Sequence, residues 1–352
     1  MENYTFIFYG RIFSVNYRIF RVVSIDDFLI NYLENTEKIK LGLMLKSLVI
    51  YHYFEKDKSY RDNFLHFFSF GYSKNTDYIV VISGSHTLDL PSAENISYFF
   101  TENHNNDFGG YCHVIKKGLD VSKYDFFFFV NSSVRGPFLT LRDQEQWTDH
   151  FIEQLQSDVG IVGSTINILQ ASSPYSVLYA EKYGTEFSCS HVQTTSYLLP
   201  KKSLLFLIAQ GFYDQREILS KDEVIRDYEL RLSQLLKEQG WNLKCLLPEY
   251  NQVDYRKAHV DINPTSSFGD LLLKNAYFGR TPHPYEVIFI KNNRNMYAPA
   301  YLDRLAYSLA FSRRLTENSL SSRDLNSYQL RIKLAETSKE RVSFTPFVGL
   351  YV

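Results

Sequence analysis

Tyr124–Phe138 reads YDFFFFVNSSVRGPF, and this stretch decides the fold class. Four consecutive phenylalanines and a valine leave no polar face, so Tyr124–Val130 predicts a strand covered on both sides. Such strands belong to parallel sheets whose two faces carry helices. Moving outward, Leu48–Tyr53 (LVIYHY), Asp77–Ser83 (DYIVVIS), Ile96–Phe100, Val159–Gly163 and His191–Leu198 read as further strands. Helical patterns cover Lys58–Phe70, Tyr111–Leu119, Tyr301–Arg314 and a long run from Ser220 that stops at Gly240. This alternation predicts an α/β fold: a mostly parallel sheet flanked by helices, as a single main domain. Ligands in such sheets bind beyond the carboxyl ends of the strands, which directs the search for chemistry there. The expected organisation is an aromatic-rich extension over residues 1–45, the α/β domain over 46–300, and a helix and tail over 301–352.

Composition narrows the field. A net charge of -1 over 352 residues lacks the basic excess of a nucleic-acid binder. The aromatic fraction of 16% suits either stacking on sugar rings or plain core packing. Cys112, Cys189 and Cys245 are too few and too far apart for a disulfide framework or a zinc site, and point to a reducing, cytoplasmic setting. No apolar run is long enough to span a bilayer. The start of the chain mixes Phe, Ile and Tyr with Arg11, Arg18 and Arg21, which fits a peripheral membrane contact or, more simply, a β-hairpin.

Four features carry chemistry. Asn131, Ser132 and Ser133 end the strongest strand. They either cap a turn or hydrogen-bond a ribose, a sugar or a metal-bound water, but they lack the charge of a tight Mg²⁺ or Mn²⁺ site. Asn103–Gly110 (NHNNDFGG) is read as a polar turn, with Asp107 available to a ribose hydroxyl or a base. The long helix offers Asp222, Glu223, Asp227 and Glu229, of which Glu229 lies beside the apolar stripe and can face a cleft as a general base. Arg280, His283, Lys291 and Arg294 form a basic region able to offset a diphosphate. Phosphate-loop, zinc and nucleophile-elbow motifs are absent, which disfavours kinase and hydrolase chemistry.

Together these blocks resemble the rhamnan-synthesis-protein-F-like glycosyltransferases. NHNNDFGGYCHVIKKGL, YDFFFFVNSSVRGPF, HVQTTSYLLPKKSL and KDEVIRDYELRLSQLLKEQGW carry the resemblance, with NPTSSFGDLLLKN and PYEVIFIKNNR as a weaker fifth block. It spans roughly residues 47–295. The resemblance implies a GT-A type of fold, a nucleotide-diphosphate sugar donor and a saccharide acceptor. It sets Asn131–Ser133 where an Asp-x-Asp pair would hold a metal, which leaves the divalent ion open. It also sets Asp107 in the donor pocket, His191 and Gln193 against donor sugar or acceptor, and Glu229 at the position of an inverting base, with Tyr228 in place of the preceding acid. The expected donor-binding set is Tyr53, Asp107, Gly109, Asn131, Ser132, Ser133, His191, Gln193 and Lys291, with no metal ligands. A non-catalytic nucleotide-sugar-binding protein, or a scaffold in polysaccharide assembly, is the alternative.

Overall fold

The computed structural model describes residues 5–8, 11–14, 45–140, 145–184, 189–214, 217–294, 296–312 and 320–334. The chain divides into two units, Met1–Leu45 and Lys46–Val352. In the first, β1 (Thr5–Phe8) and β2 (Arg11–Ser14) pair antiparallel, from Thr5 opposite Ser14 to Phe8 opposite Arg11. This is the simpler of the two expectations for the start of the chain. The rest of that segment, and the apolar tail FTPFVGLYV, lie outside the described residues.

The second unit runs β3 (Ser47–Tyr53), α1 (Lys58–Phe70), β4 (Asp77–Ser83), β5 (Ile96–Thr101), α2 (Asn106–Lys116), β6 (Phe126–Asn131), β7 (Val134–Arg135), α3 (Trp147–Ile152), β8 (Val159–Gly163) and β9 (Ile166–Asn167). It continues with α4 (Pro174–Tyr183), β10 (His191–Val192), β11 (Ser196–Pro200), α5 (Lys201–Ala209), α6 (residues 221–238), β12 (Asn242–Cys245), α7 (Pro284–Val287), β13 (Ile290–Lys291), α8 (Pro299–Ser312) and α9 (Arg323–Lys333).

Seven strands form the central sheet in the order β12-β8-β11-β6-β3-β4-β5. All neighbours are parallel except β11, which runs antiparallel to both β6 and β8. The expected mostly parallel α/β sheet is therefore present, with one strand reversed. The strand expected over His191–Leu198 is two strands: β10 pairs with β9 outside the sheet, and β11 enters it. Gln193–Thr195 form the break between them.

Alternation along β6 sends its phenylalanines to two cores. Phe127 and Phe129 join Phe108 and Tyr111 of α2, and Phe129 stacks on Tyr197 of β11 at 4.8 Å. Phe128 and Val130 join Phe64, Phe67 and Phe68 of α1 and Trp147 of α3. Each fully buried ring contributes about 1.5–3 kcal/mol, so this one strand ties both helical layers to the sheet. Asp57 caps α1, accepting from the Ser59 and Tyr60 amides. The C-terminal α9, where no helix is expected from the sequence pattern, docks on α1 through Tyr328 on His66 and Arg331 on Asp62.

Candidate active site

Chain order reverses between β3 and β6: β4 and β5 continue to one side of β3, and β6 lies on the other. Such a switch point opens a crevice at the carboxyl ends of the strands. His52 pairs with Asn131 there. A cleft of about 940 Å³ extends from this point. Its walls come from the ends of β3 and β6, the start of α2, α6, the segment around Phe268, and β13.

The turn after β6 is internally bonded. Asn131 Oδ1 accepts from the Ser133 amide at 3.1 Å and its hydroxyl at 2.6 Å. Ser132 is buried, and its Oγ accepts from the Phe54 amide at 3.1 Å. These hydrogen bonds cap the turn, one of the two roles weighed from the sequence. Asn131 Nδ2 donates to Asp107 Oδ2 at 3.0 Å, so a carboxylate reaches the turn from α2 rather than from β6 itself.

That contact depends on where α2 begins. The helix starts at Asn106, five residues before the expected Tyr111, and enters through Asn105 and Asn106 at φ 56° and 53°. Gly109 and Gly110 are inside it. A Cβ on Gly109 would meet the His104 carbonyl oxygen at 1.9 Å, and one on Gly110 would meet His52 Cδ2 at 2.7 Å. These glycines serve close approach, not a turn. Burial pushes the Asp107 carboxyl up to about 7, opposed by the Asn131 hydrogen bond and reinforced by Glu229.

The carboxylates of α6 face different ways. Ser220 and Glu223 form a capping box. Ile225–Leu230 is π-helical, a local widening of a kind that marks functional sites. Within it Asp227 is held at about 2: burial opposes its charge, but hydrogen bonds from Arg226, Lys182 and Tyr183 prevail. Tyr228 turns inward and stacks on Phe108 at 4.8 Å. Glu229 lines the cleft. Burial raises its carboxyl above the ordinary range, while Lys291, Lys221 and Arg294 pull it back.

Lys291 belongs to β13, which pairs with β7 so that Lys291 stands opposite Val134, next after Ser133. Burial lowers its ammonium, and the charges of Glu229, Asp270 and Asp107 raise it again. Arg294 reaches Asp270 at 3.3 Å, and Asp270 Oδ1 also accepts from Gln193 Nε2 at 3.2 Å. His191 Nδ1 lies 3.0 Å from the Cys189 carbonyl oxygen and so carries the proton, leaving Nε2 as an acceptor. Burial lowers this imidazole to about 4, so it stays neutral near pH 7. Opposite His191 in the β9–β10 pair is Asn167, whose buried Oδ1 has no hydrogen-bond partner among the described residues.

The cleft brings together Asp107, Asn131, Ser132, Ser133, His191, Gln193, Glu229 and Lys291. Tyr53 and Gly109 do not line it. Tyr53 points to the opposite face of β3 from His52, where it is fully buried among the rings of α1 and donates to Glu55 at 2.9 Å. Gly109 is spent on the packing just described. The basic region splits: Lys291 and Arg294 line the cleft, but Arg280 forms a paired contact with Glu286 and His283 caps α7. Sequence reading missed Asn167, Lys221, Phe268 and Asp270. A signal existed for Phe268: Ser267-Phe268-Gly269-Asp270 is a turn tetrapeptide. It holds the phenylalanine at φ 54° and 83% exposed on the cleft wall.

The residues do not fit a divalent ion. Asn131 and Ser132 spend their oxygens on the turn, and Asp107 is held toward its neutral form. Among the described residues, the metal-sized trio of ligating side chains is Glu145, His150 and Glu153, none of which lines the cleft.

No protein-family profile matches the chain, and no curated protein sequence matches it. Solved structures do align with it. The galactosyltransferase LgtC, in complex with donor and acceptor sugar analogues, covers 74% of this chain and 95% of its own at 9% identity and a TM-score of 0.37. The mannosyltransferase PcManGT from Pyrobaculum calidifontis, in complex with GDP-Man and Mn²⁺, covers 89% and 94% at 10% identity and a TM-score of 0.34. The bifunctional glycosyltransferase WbbM, in its apo form, covers 57% of this chain at 10% identity and a TM-score of 0.32; the chain spans 38% of that enzyme's length. Superpositions this loose leave the chemistry to be read from the chain's own cleft.

Proposed function

We propose that the chain is a glycosyltransferase of the GT-A kind, moving a hexosyl or deoxyhexosyl group from a nucleoside-diphosphate sugar to a saccharide hydroxyl with inversion. The supporting observation is a pair of opposite charges in one cleft. Neither the Glu229 carboxylate nor the Lys291 ammonium has a hydrogen-bond or ion-pair partner among the described residues, although each is partly withdrawn from water and shifts the other's titration. A charge that is desolvated and unpaired favours a ligand or a reaction that answers it. Glu229, raised as it is, takes the proton from the acceptor hydroxyl near neutral pH. The acceptor oxygen then bonds to the anomeric carbon, and the carbon–oxygen bond to the diphosphate breaks, its electron pair leaving with the phosphate. Asn167 Oδ1 and His191 Nε2, both acceptors, suit the hydroxyls of a sugar ring. Phe268 offers an exposed ring face at the rim for the acceptor.

The test is nucleoside diphosphate release from a panel of sugar nucleotides mixed with saccharide acceptors. Glu229→Gln should cut release by about 10²–10⁴-fold with donor affinity kept. Transfer at the wild-type rate by that variant would remove Glu229 as the base.

A further inference from the structure

We propose that this cleft neutralises the donor's diphosphate with its own cations, Lys291 foremost and Arg294 and Lys221 beside it, and uses no divalent ion. The inference rests on the donor reading above. It starts from register. β13 pairs with β7 so that Lys291 stands opposite Val134, the residue immediately after the Asn131–Ser133 turn. The backbone therefore holds an ammonium beside the point in the fold where a metal-binding pair of carboxylates would end β6.

The local oxygens cannot replace those carboxylates. Mg²⁺ and Mn²⁺ need hard, charged oxygen ligands arranged around one point. Asn131 Oδ1 already accepts two hydrogen bonds from Ser133, and its amide nitrogen donates to Asp107. Of the three cleft carboxylates, Asp107 is driven toward protonation by burial. Asp270 is engaged by Arg294, Gln193 and the Leu272 amide. Glu229 is reserved as the base. Among the described residues, no three His, Cys, Asp or Glu side chains of the cleft bring ligand atoms within 4.8 Å of one another.

The cations, in contrast, are available. Lys291 and Lys221 line the cleft without a hydrogen-bond or ion-pair partner among the described residues. Arg294 touches Asp270 at one nitrogen, and its guanidinium has further donors. A diphosphate arriving here meets fixed positive charge in a partly water-excluded site, where that charge costs no reorganisation. Its negative charge also favours the Lys291 ammonium, against the burial that lowers it.

Calorimetry on the full chain with UDP, GDP, dTDP and ADP, each in EDTA and in excess Mn²⁺ or Mg²⁺, tests the proposal. The nucleotide that binds should do so with a Kd that changes less than about threefold between the two conditions. Lys291→Met should weaken it about tenfold or more in both, and Lys291→Arg should recover much of the loss. Should Lys291→Met not fold, the wild-type rise in Tm with nucleotide in EDTA reads the same property. Binding that requires the divalent ion overturns the metal-free clamp and leaves the donor reading standing. A Kd unchanged in Lys291→Met removes Lys291 from the clamp. Failure of all four nucleotides in both conditions overturns the donor reading, and this inference with it.

Discussion

Asp107→Asn should make the protein more stable as pH rises, relative to the parent. Burial pushes the Asp107 carboxyl to about 7 from an ordinary 3.8. A folded-state value above the unfolded one means that the folded chain holds the proton more tightly. The associated stability is complete below the unfolded value and is lost as pH climbs through the folded one. Between pH 5 and pH 8 the linkage relation gives a loss of about 2–3 kcal/mol from this carboxyl. An amide in its place cannot ionise, and still offers an oxygen to Asn131 Nδ2. Urea unfolding of both proteins at pH 5 and pH 8 isolates the effect, since other titrating groups largely cancel in the difference. The gap between the two unfolding free energies should widen by that amount toward pH 8, while transfer activity falls. Parallel pH curves would refute the idea that a buried carboxyl beside Asn131 is held toward its neutral form.

The acid limb of the pH–rate profile should lie above the ordinary glutamate value of 4.5, because burial raises the group that must be deprotonated. It should move higher in Lys291→Met, which removes a stabilising cation. Asn167→Leu should leave unfolding free energy unchanged or raised, since it removes a buried acceptor that lacks a partner. The same variant should weaken binding of the intact sugar nucleotide about tenfold in calorimetry and leave binding of the bare nucleoside diphosphate unaltered.

The phenylalanine row announced both cores and the strand between them, because an uninterrupted apolar run has one economical placement in a layered fold. Apolar periodicity carries no direction, however. The reversal of β11 was therefore invisible, as was the break at Gln193–Thr195 that separates β10 from β11. Asn103–Gly110 looked like a turn because amides and glycines usually signal one. Here the glycines permit backbone contact with His104 and His52, a tertiary cause with no local signature. Adjacent residues on β3 show the limit of strand-end reasoning: His52 reaches the cleft and Tyr53 the core, and the pattern YHY is symmetrical. Glu229 was legible from its place beside the apolar stripe. Lys221 and Asp270 were not, since no local pattern marks either one until the chain closes around the cleft; Phe268 was marked only by its turn tetrapeptide.

The π-helical segment of α6 has a consequence for insertions and deletions. Such a segment holds one residue more than an α-helix of the same rise would accommodate. Removing a single residue between Ile225 and Tyr228 would restore α-helical bonding and turn the preceding part of the helix by about 100° against the rest. Glu229 could then keep its place only by taking the capped Ser220–Glu223 turn out of position, or the turn could stay and the carboxylate leave the cleft. The length of this helix, counted in whole residues, is thus as much a part of the site as the side chain it presents.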